Sequence, residues 1–249
     1  METASILVVG GCGMTGSHIV RKLREAYPQA RIAVMTRTPR NALAGVTYHA
    51  GDMTRADDVD AVLAAARPAV VFLVAGVVLM NPNKPLTDAV IRTANYDGAL
   101  RVLEGCRRAG GVRALVFTSS ATVVMKEQGG FRDLVAADES YPLCDWADDT
   151  TMYARAKAAA EREVLAADDP AGMRTAALRP ALVHGEGDTD LLPSYLAMMR
   201  AGRTKIQLGN NQNRSTLPGG ALPPSASSPT THPPYRGRGM ANPTPPQWP

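Results

Sequence analysis

Ile6-Leu-Val-Val9-Gly10-Gly-Cys-Gly13-Met14-Thr15-Gly16-Ser17-His-Ile-Val-Arg-Lys-Leu23 is the stretch on which the reading of this 249-residue chain turns. Four apolar residues give way to Gly10-x-x-Gly13-x-x-Gly16, and helical spacing follows through Ile19, Val20 and Leu23. Glycines at that spacing let a strand turn tightly into a helix and let backbone amides approach a pyrophosphate. The unpaired N–H groups of the helix start then face the anion. An ordinary glycine-rich strand-to-helix turn would carry the same letters. Its place directly after the first strand favours a dinucleotide site, with Gly10, Gly13, Met14, Thr15 and Gly16 as contacts.

Outward from this turn the chain alternates. Strand-like runs fall at Ile6–Val9, Arg31–Met35, Val46–Ala50, Ala69–Ala75, Ala114–Thr118 and Thr175–Arg179, and helical patterns at Thr15–Tyr27, Ala56–Ala66, Leu86–Ala109 and Thr150–Ala167. Short buried strands alternating with helices predict an α/β fold: a Rossmann-type doubly wound parallel sheet. Such sheets bind ligands beyond the carboxyl ends of their strands, at the switch point. The residues after each strand are therefore the candidates for function.

The second strand ends in Thr36-Arg37, where a site for NAD would usually carry an acid. Arg37 suits a 2′-phosphate or is a solvated loop residue, so the cofactor is NAD or NADP. After the third strand, Asp52 is placed to meet an adenine amino group with the Met53 amide beside it. Asp52 or Thr54 would serve equally as a helix N-cap. The fifth strand runs into Thr118-Ser-Ser-Ala-Thr122, and the last helical pattern holds Tyr153-Ala-Arg-Ala-Lys157. Seven Tyr and five Lys make that spacing weak evidence alone, and a Tyr packed on the sheet beside a solvated Lys would also show it. Its place after the hydroxyl cluster gives it weight. Four residues are about one helical turn, so both side chains share a face. An ammonium beside the phenol, together with a cationic nicotinamide ring, would lower a phenol pKa from near 10, at about 1.4 kcal/mol for each pKa unit. Ser120 would then hold a substrate oxygen while Tyr153 moves its proton.

Composition narrows the class. Lys plus Arg total 27 against 23 Asp plus Glu, too mild an excess to expect a nucleic-acid partner. Three widely spaced cysteines give neither a disulfide frame nor a metal site, and the expectation is no metal. No signal-peptide pattern opens the chain, and its longest apolar run, Ala69 to Met80, is about half of the ~20 residues a membrane span needs. Residues 214–249 hold 10 of the 19 Pro and no acid, Val, Ile or Phe. They divide from residues 1–213 as an expected disordered, polyproline-like tail. The abrupt change in an Arg- and Ala-rich chain suggests a frame shift or intron read-through, a genuine flexible tail being the alternative. Sequencing the transcript across codon 213 separates the two.

These stretches together resemble the extended short-chain dehydrogenase/reductases over residues 5–213, and within them the 3β-hydroxysteroid dehydrogenase family, especially its branch that oxidises and decarboxylates sterol 4α-carboxylates. The resemblance rests on Val8–Gly16, Gly51–Thr54, Asn95-Tyr-Asp-Gly98, Phe117–Ala121, Tyr153-x-x-x-Lys157 and Leu178-Arg-Pro-Ala-Leu-Val-His-Gly-Glu-Gly-Asp188. It implies Tyr153 as acid/base and a cofactor contact, Lys157 as the residue that lowers its pKa while binding the nicotinamide ribose, and Ser120 as the substrate-polarising serine. Asn95 would support the active-site region, and Pro180 would mark the loop beside the nicotinamide. His184 and Glu186 depart from the family's pattern at positions expected near the cleft mouth, and the family's substrate lobe continues past residue 213. The implied substrate is a sterol or terpenoid alcohol. The rivals are a sugar-nucleotide epimerase or reductase, and a non-catalytic cofactor-binding fragment. By analogy the chain would form a homodimer and work in the cytoplasm or on the surface of the endoplasmic reticulum membrane.

Overall fold

A computed structural model describes residues 4–40, 42–77, 86–126, 138–189 and 191–202. The tail at 214–249 lies outside the described residues. Six strands, β1 (Ser5–Val9), β2 (Arg31–Thr36), β3 (Val46–Ala50), β4 (Val70–Leu73), β5 (Ala114–Thr118) and β6 (Arg174–Leu178), form one parallel sheet in the order β3-β2-β1-β4-β5-β6. The order reverses between β1 and β4, so the crevice at their carboxyl ends is the switch point. Gly10 leaves β1 at that crevice.

Alternation along the strands sorts the core into two layers. Leu7, Val9, Met35, Leu73, Leu115 and Phe117 face α2 (Ala56–Ala66), α4 (Gly98–Ala109) and α5 (Met152–Ala166). Ile6, Val8, Ile32 and Val34 face the other way, against α1 (Met14–Ala26). Each fully buried side chain of this size contributes roughly 1.5–3 kcal/mol. The side chains of α5 that meet the core are mostly alanines, among them Ala156, Ala158, Ala159 and Ala160, which let this helix lie close to the sheet.

Two elements differ from the sequence reading. β4 ends at Leu73: the Val74 amide makes the last rung to the Val9 carbonyl, and the Ala75 amide turns onto that same acceptor instead of extending the ladder. The pattern at Leu86–Ala109 is not one α-helix. It divides into α3 (Asp88–Arg92), one turn of π-helix at Thr93–Asp97, and α4. The Asn95 side-chain amide donates to the Ile91 carbonyl at 2.9 Å, a competitor for the ordinary i−4 bond. The alternation also left α6 (Leu191–Arg200) unread; its first amides, on Leu191 and Leu192, donate to the Asp188 carboxylate.

Candidate active site

Gly10 has φ of +90°, a conformation that side chains disfavour, and its N–H donates to the Met35 carbonyl. At Gly16 the constraint is space. A Cβ there would lie 2.2 Å from the Gly10 carbonyl oxygen. No side chain caps the helix that begins here, with Gly13 at its N-cap. The start of α1, carrying Met14, Thr15 and Gly16, thus presents backbone donors and a positive dipole end to the crevice. This bare cradle fits a pyrophosphate.

Beyond β2 and β3, Arg37, Ala50, Gly51, Asp52 and Asp58 line a cavity of about 390 Å³. Arg37 is not an unopposed cation: it shares this cavity with two carboxylates and acts electrostatically on Asp52. Burial works against ionising Asp52, but hydrogen bonds from the Thr54 amide and hydroxyl, with Arg37 and Arg55, hold its pKa below the ordinary value. Neither Asp52 nor Thr54 is the N-cap of α2; that place belongs to Arg55, and Asp52 closes a local turn instead. The Met53 side chain packs on Gly98. A larger cavity, about 440 Å³, is apolar and lies along α1, with His184 in its lining. Glu186 pairs with Arg21 of α1 at 3.2 Å, so both departures from the family pattern sit against that helix.

The carboxyl end of β5 meets α5 through three consecutive residues. The Lys157 ammonium donates to the Thr118 carbonyl at 2.9 Å and stands 4.7 Å from the centre of the Phe117 ring. The Ser119 hydroxyl donates to Glu161, and the Ser120 side chain stands beside Tyr153, where it acts to lower the phenol pKa. Ser120 accepts from both the amide and the hydroxyl of Thr122, which leaves its own proton for the phenol. Ala121 donates to the Pro180 carbonyl, which brings the loop after β6 alongside. Asn95, 1% exposed, donates to the Val77 carbonyl and accepts from the Val77 amide, pinning the segment after β4. Tyr153, Lys157, Ser120, Asn95 and Pro180 therefore belong to one neighbourhood at the carboxyl ends of β4, β5 and β6.

Two groups of residues were not legible in the sequence. A Cβ on Gly76 would meet the Asn95 oxygen at 2.6 Å and Lys157 Nζ at 3.2 Å, so this glycine lets both side chains close around the backbone. Trp146 sets its ring edge-to-face on Tyr96 at 5.3 Å, and Arg92 lies over both rings, which ties the segment before α5 to the π-turn. No short-range pattern announces either contact.

The expected lowering of the phenol is not what the chain's own groups produce. Burial pushes the Tyr153 pKa up, opposed in part by Ser120. Lys157 is 3% exposed, and burial pushes its pKa down to about 8 from an ordinary 10.5. The folded protein therefore releases this proton at lower pH than the unfolded chain does, and stability rises with pH between about 8 and 10.5. The difference corresponds to ~3 kcal/mol. Set against Lys157→Met, the wild type is expected to gain stability by up to about that amount across this window. Denaturant titrations of both proteins at pH 7 and pH 10 measure it; a constant difference would contradict the buried ammonium.

A parallel sheet of this order, with an uncapped glycine turn and a Tyr-Lys pair one helical turn apart, defines an extended short-chain dehydrogenase/reductase. Residues 7–217 match the model of the 3-beta hydroxysteroid dehydrogenase/isomerase family, and the chain belongs to that family. It is 35% identical to sterol-4-alpha-carboxylate 3-dehydrogenase, decarboxylating, of Schizosaccharomyces pombe, over 86% of this chain and 60% of that one. The Bos taurus enzyme of the same name is 31% identical over 83% of this chain and 54% of its own length. Among solved structures, UDP-glucose 4-epimerase of Thermus thermophilus in complex with NAD is similar, with a TM-score of 0.62 and 27% identity over 78% of this chain and 60% of that one. The chain spans about 60% of the length of the curated relatives it matches first. No helix among the described residues is long and apolar enough to cross a membrane.

Proposed function

We propose that this chain carries the cofactor-binding and acid–base portion of an NAD(P)-dependent dehydrogenase that oxidises a 3β-hydroxyl on a sterol-like alcohol. The observation that carries the reading is the buried Lys157, held on the Thr118 carbonyl at the end of β5 one helical turn along α5 from Tyr153, with Ser120 beside that phenol. The glycine cradle and the uncapped α1 suit a dinucleotide's pyrophosphate, and Lys157, Asn95 and Pro180 surround the place for its nicotinamide end. A nicotinamide dinucleotide supplies a hydride acceptor there. Ser120 holds the substrate oxygen by a hydrogen bond, and Tyr153 takes the hydroxyl proton. Lys157 keeps a positive charge close to the phenol as that proton moves. Where the substrate has a 4α-carboxylate, the resulting 3-ketone lies beta to it; carbon dioxide then leaves because the ketone oxygen takes up the negative charge as an enolate. The names of the relatives support this substrate class.

The epimerase reading draws on the likeness to UDP-glucose 4-epimerase. One assay separates the readings. Cofactor reduction is followed with 3β-hydroxysteroids, sterol 4α-carboxylates and UDP-sugars, using this chain and a form extended to its relatives' length. Reduction with the sterols supports the proposal. Turnover confined to UDP-sugars, or cofactor binding with no turnover in the extended form, would overturn it.

The cavity at Arg37 also favours NAD over NADP, because Asp52 and Asp58 repel a 2′-phosphate that Arg37 alone would attract. Asp52→Asn keeps the acceptor for Thr54 and removes one charge. It is expected to improve NADP binding relative to NAD about fivefold, or ~1 kcal/mol. Fluorescence titration with both reduced cofactors reads that ratio, and an unchanged ratio would remove Asp52 from the selectivity.

A further inference from the structure

Glu161 is a carboxylate with 1% exposure, and neither the glycine turn nor the Tyr-Lys pair accounts for it. It lies four residues beyond Lys157 and eight beyond Tyr153, on the same face of α5. Its Oε2 accepts from the Ser119 hydroxyl at 2.5 Å. Its Oε1 accepts from Arg179 Nε at 2.9 Å, and a terminal nitrogen of the same guanidinium is ion-paired with it at 2.7 Å. One buried carboxylate thus gathers α5, the end of β5 and the residue that follows β6.

The position of Ser119 gives this arrangement its meaning. It stands between the carbonyl that holds Lys157 and Ser120, whose side chain accepts from Thr122 and lies beside Tyr153. Its amide donates to the Leu178 carbonyl at 2.7 Å, and Pro180, next to Arg179, accepts from Ala121 at 2.9 Å. A shift of Ser119 would carry Thr118 and Ser120 with it, since three consecutive residues share their peptide planes. An error of 1 Å at reacting groups costs far more in rate than in stability.

We infer that the buried Ser119–Glu161–Arg179 chain is a positioning device for the reaction, holding Ser120 in register with Tyr153 from behind the site. Its residues act through Ser120 and the Thr118 carbonyl. The inference rests on the dehydrogenase reading for its consequence in turnover, but not for its geometry.

Removing Glu161 outright would strand a half-buried Arg179 and risks unfolding, so the test uses Ser119→Ala, with Glu161→Gln as the variant that keeps an acceptor. The first readout needs no activity: the ¹³Cζ resonance of Tyr153 in tyrosine-labelled protein, with Ser120→Ala marking the phenol without its partner. Ser119→Ala is expected to move the resonance at least halfway towards that marker, and Glu161→Gln to move it less. The second readout is turnover in the extended form. Ser119→Ala should lower kcat about tenfold, with cofactor affinity within about twofold of wild type. A Ser119→Ala protein with the wild-type resonance would overturn the inference even if the enzyme is fully active. A displaced resonance in a protein with no turnover at all would sustain it while sinking the dehydrogenase reading.

Discussion

Tyr153→Phe, assayed in a form extended to the length of its relatives, is expected to lose alcohol oxidation by at least about a thousandfold while binding the dinucleotide within about twofold of wild type. Positioned acid–base groups contribute about 10²–10⁴ in rate. The substitution removes one oxygen and leaves the ring to fill its place, so α5 should keep its packing. Ser120 loses a partner, yet its Oγ still accepts from Thr122. The resting phenol lies above its ordinary value because burial outweighs the opposing influence of Ser120. Near neutrality it therefore carries its proton, ready to give it to a ketone but not to take one from an alcohol. Oxidation should accordingly accelerate as pH rises from 7 to about 8, above which Lys157 gives up the charge that supports the proton transfer, and ketone reduction should not accelerate. Stopped-flow cofactor fluorescence with the variant and the wild type measures both effects. Oxidation by Tyr153→Phe at near wild-type rates would remove this residue as the base.

The other large effect is expected at Gly16→Ala. An added Cβ meets the Gly10 oxygen at 2.2 Å, the Gly10 carbonyl carbon at 2.8 Å and Gly11 Cα at 2.8 Å. All three are backbone atoms, so no flexible side chain can yield. Relief requires α1 to move off β1, which re-aims the amides of Met14, Thr15 and Gly16. The cost in stability is about 1–3 kcal/mol, the usual range for overpacking. Dinucleotide affinity should fall about a hundredfold, equivalent to ~2.7 kcal/mol. Calorimetric titration with the dinucleotide and thermal melting of the free protein check the two parts separately. Wild-type affinity in a normally folded variant would show that the crevice at α1 is not where the cofactor sits.

Much of this arrangement was legible because it is local. Runs such as Ile6–Val9 and Ala114–Thr118 lie in the strands they predicted, since apolar runs between turn residues have few other uses in a parallel sheet. Strand ends were less legible. β4 stops at Leu73 although Val74 and Ala75 continue its apolar run, because both amides fall on one acceptor, the Val9 carbonyl of the neighbouring strand, and no further rung forms. Asn95 could be singled out by motif, but not the π-turn that aims it. That turn depends on the Ile91 and Val77 carbonyls, the second of which comes from another part of the chain.

By itself the sequence determined the α/β class, the turn at Gly10–Gly16 and the shared helical face of Tyr153 and Lys157, each of which follows from steric and periodic rules spanning a few residues. Only the tertiary structure decided that Lys157 leans on the Thr118 carbonyl and the Phe117 ring, that Gly76 makes room for it beside Asn95, and that Arg37 faces carboxylates. It also joined Ser119, Glu161 and Arg179, which lie as much as 60 residues apart along the chain. The physical reason is range. Hydrogen bonds and burial act over a few ångströms of space, and only the folded sheet brings the ends of β4, β5 and β6 that close.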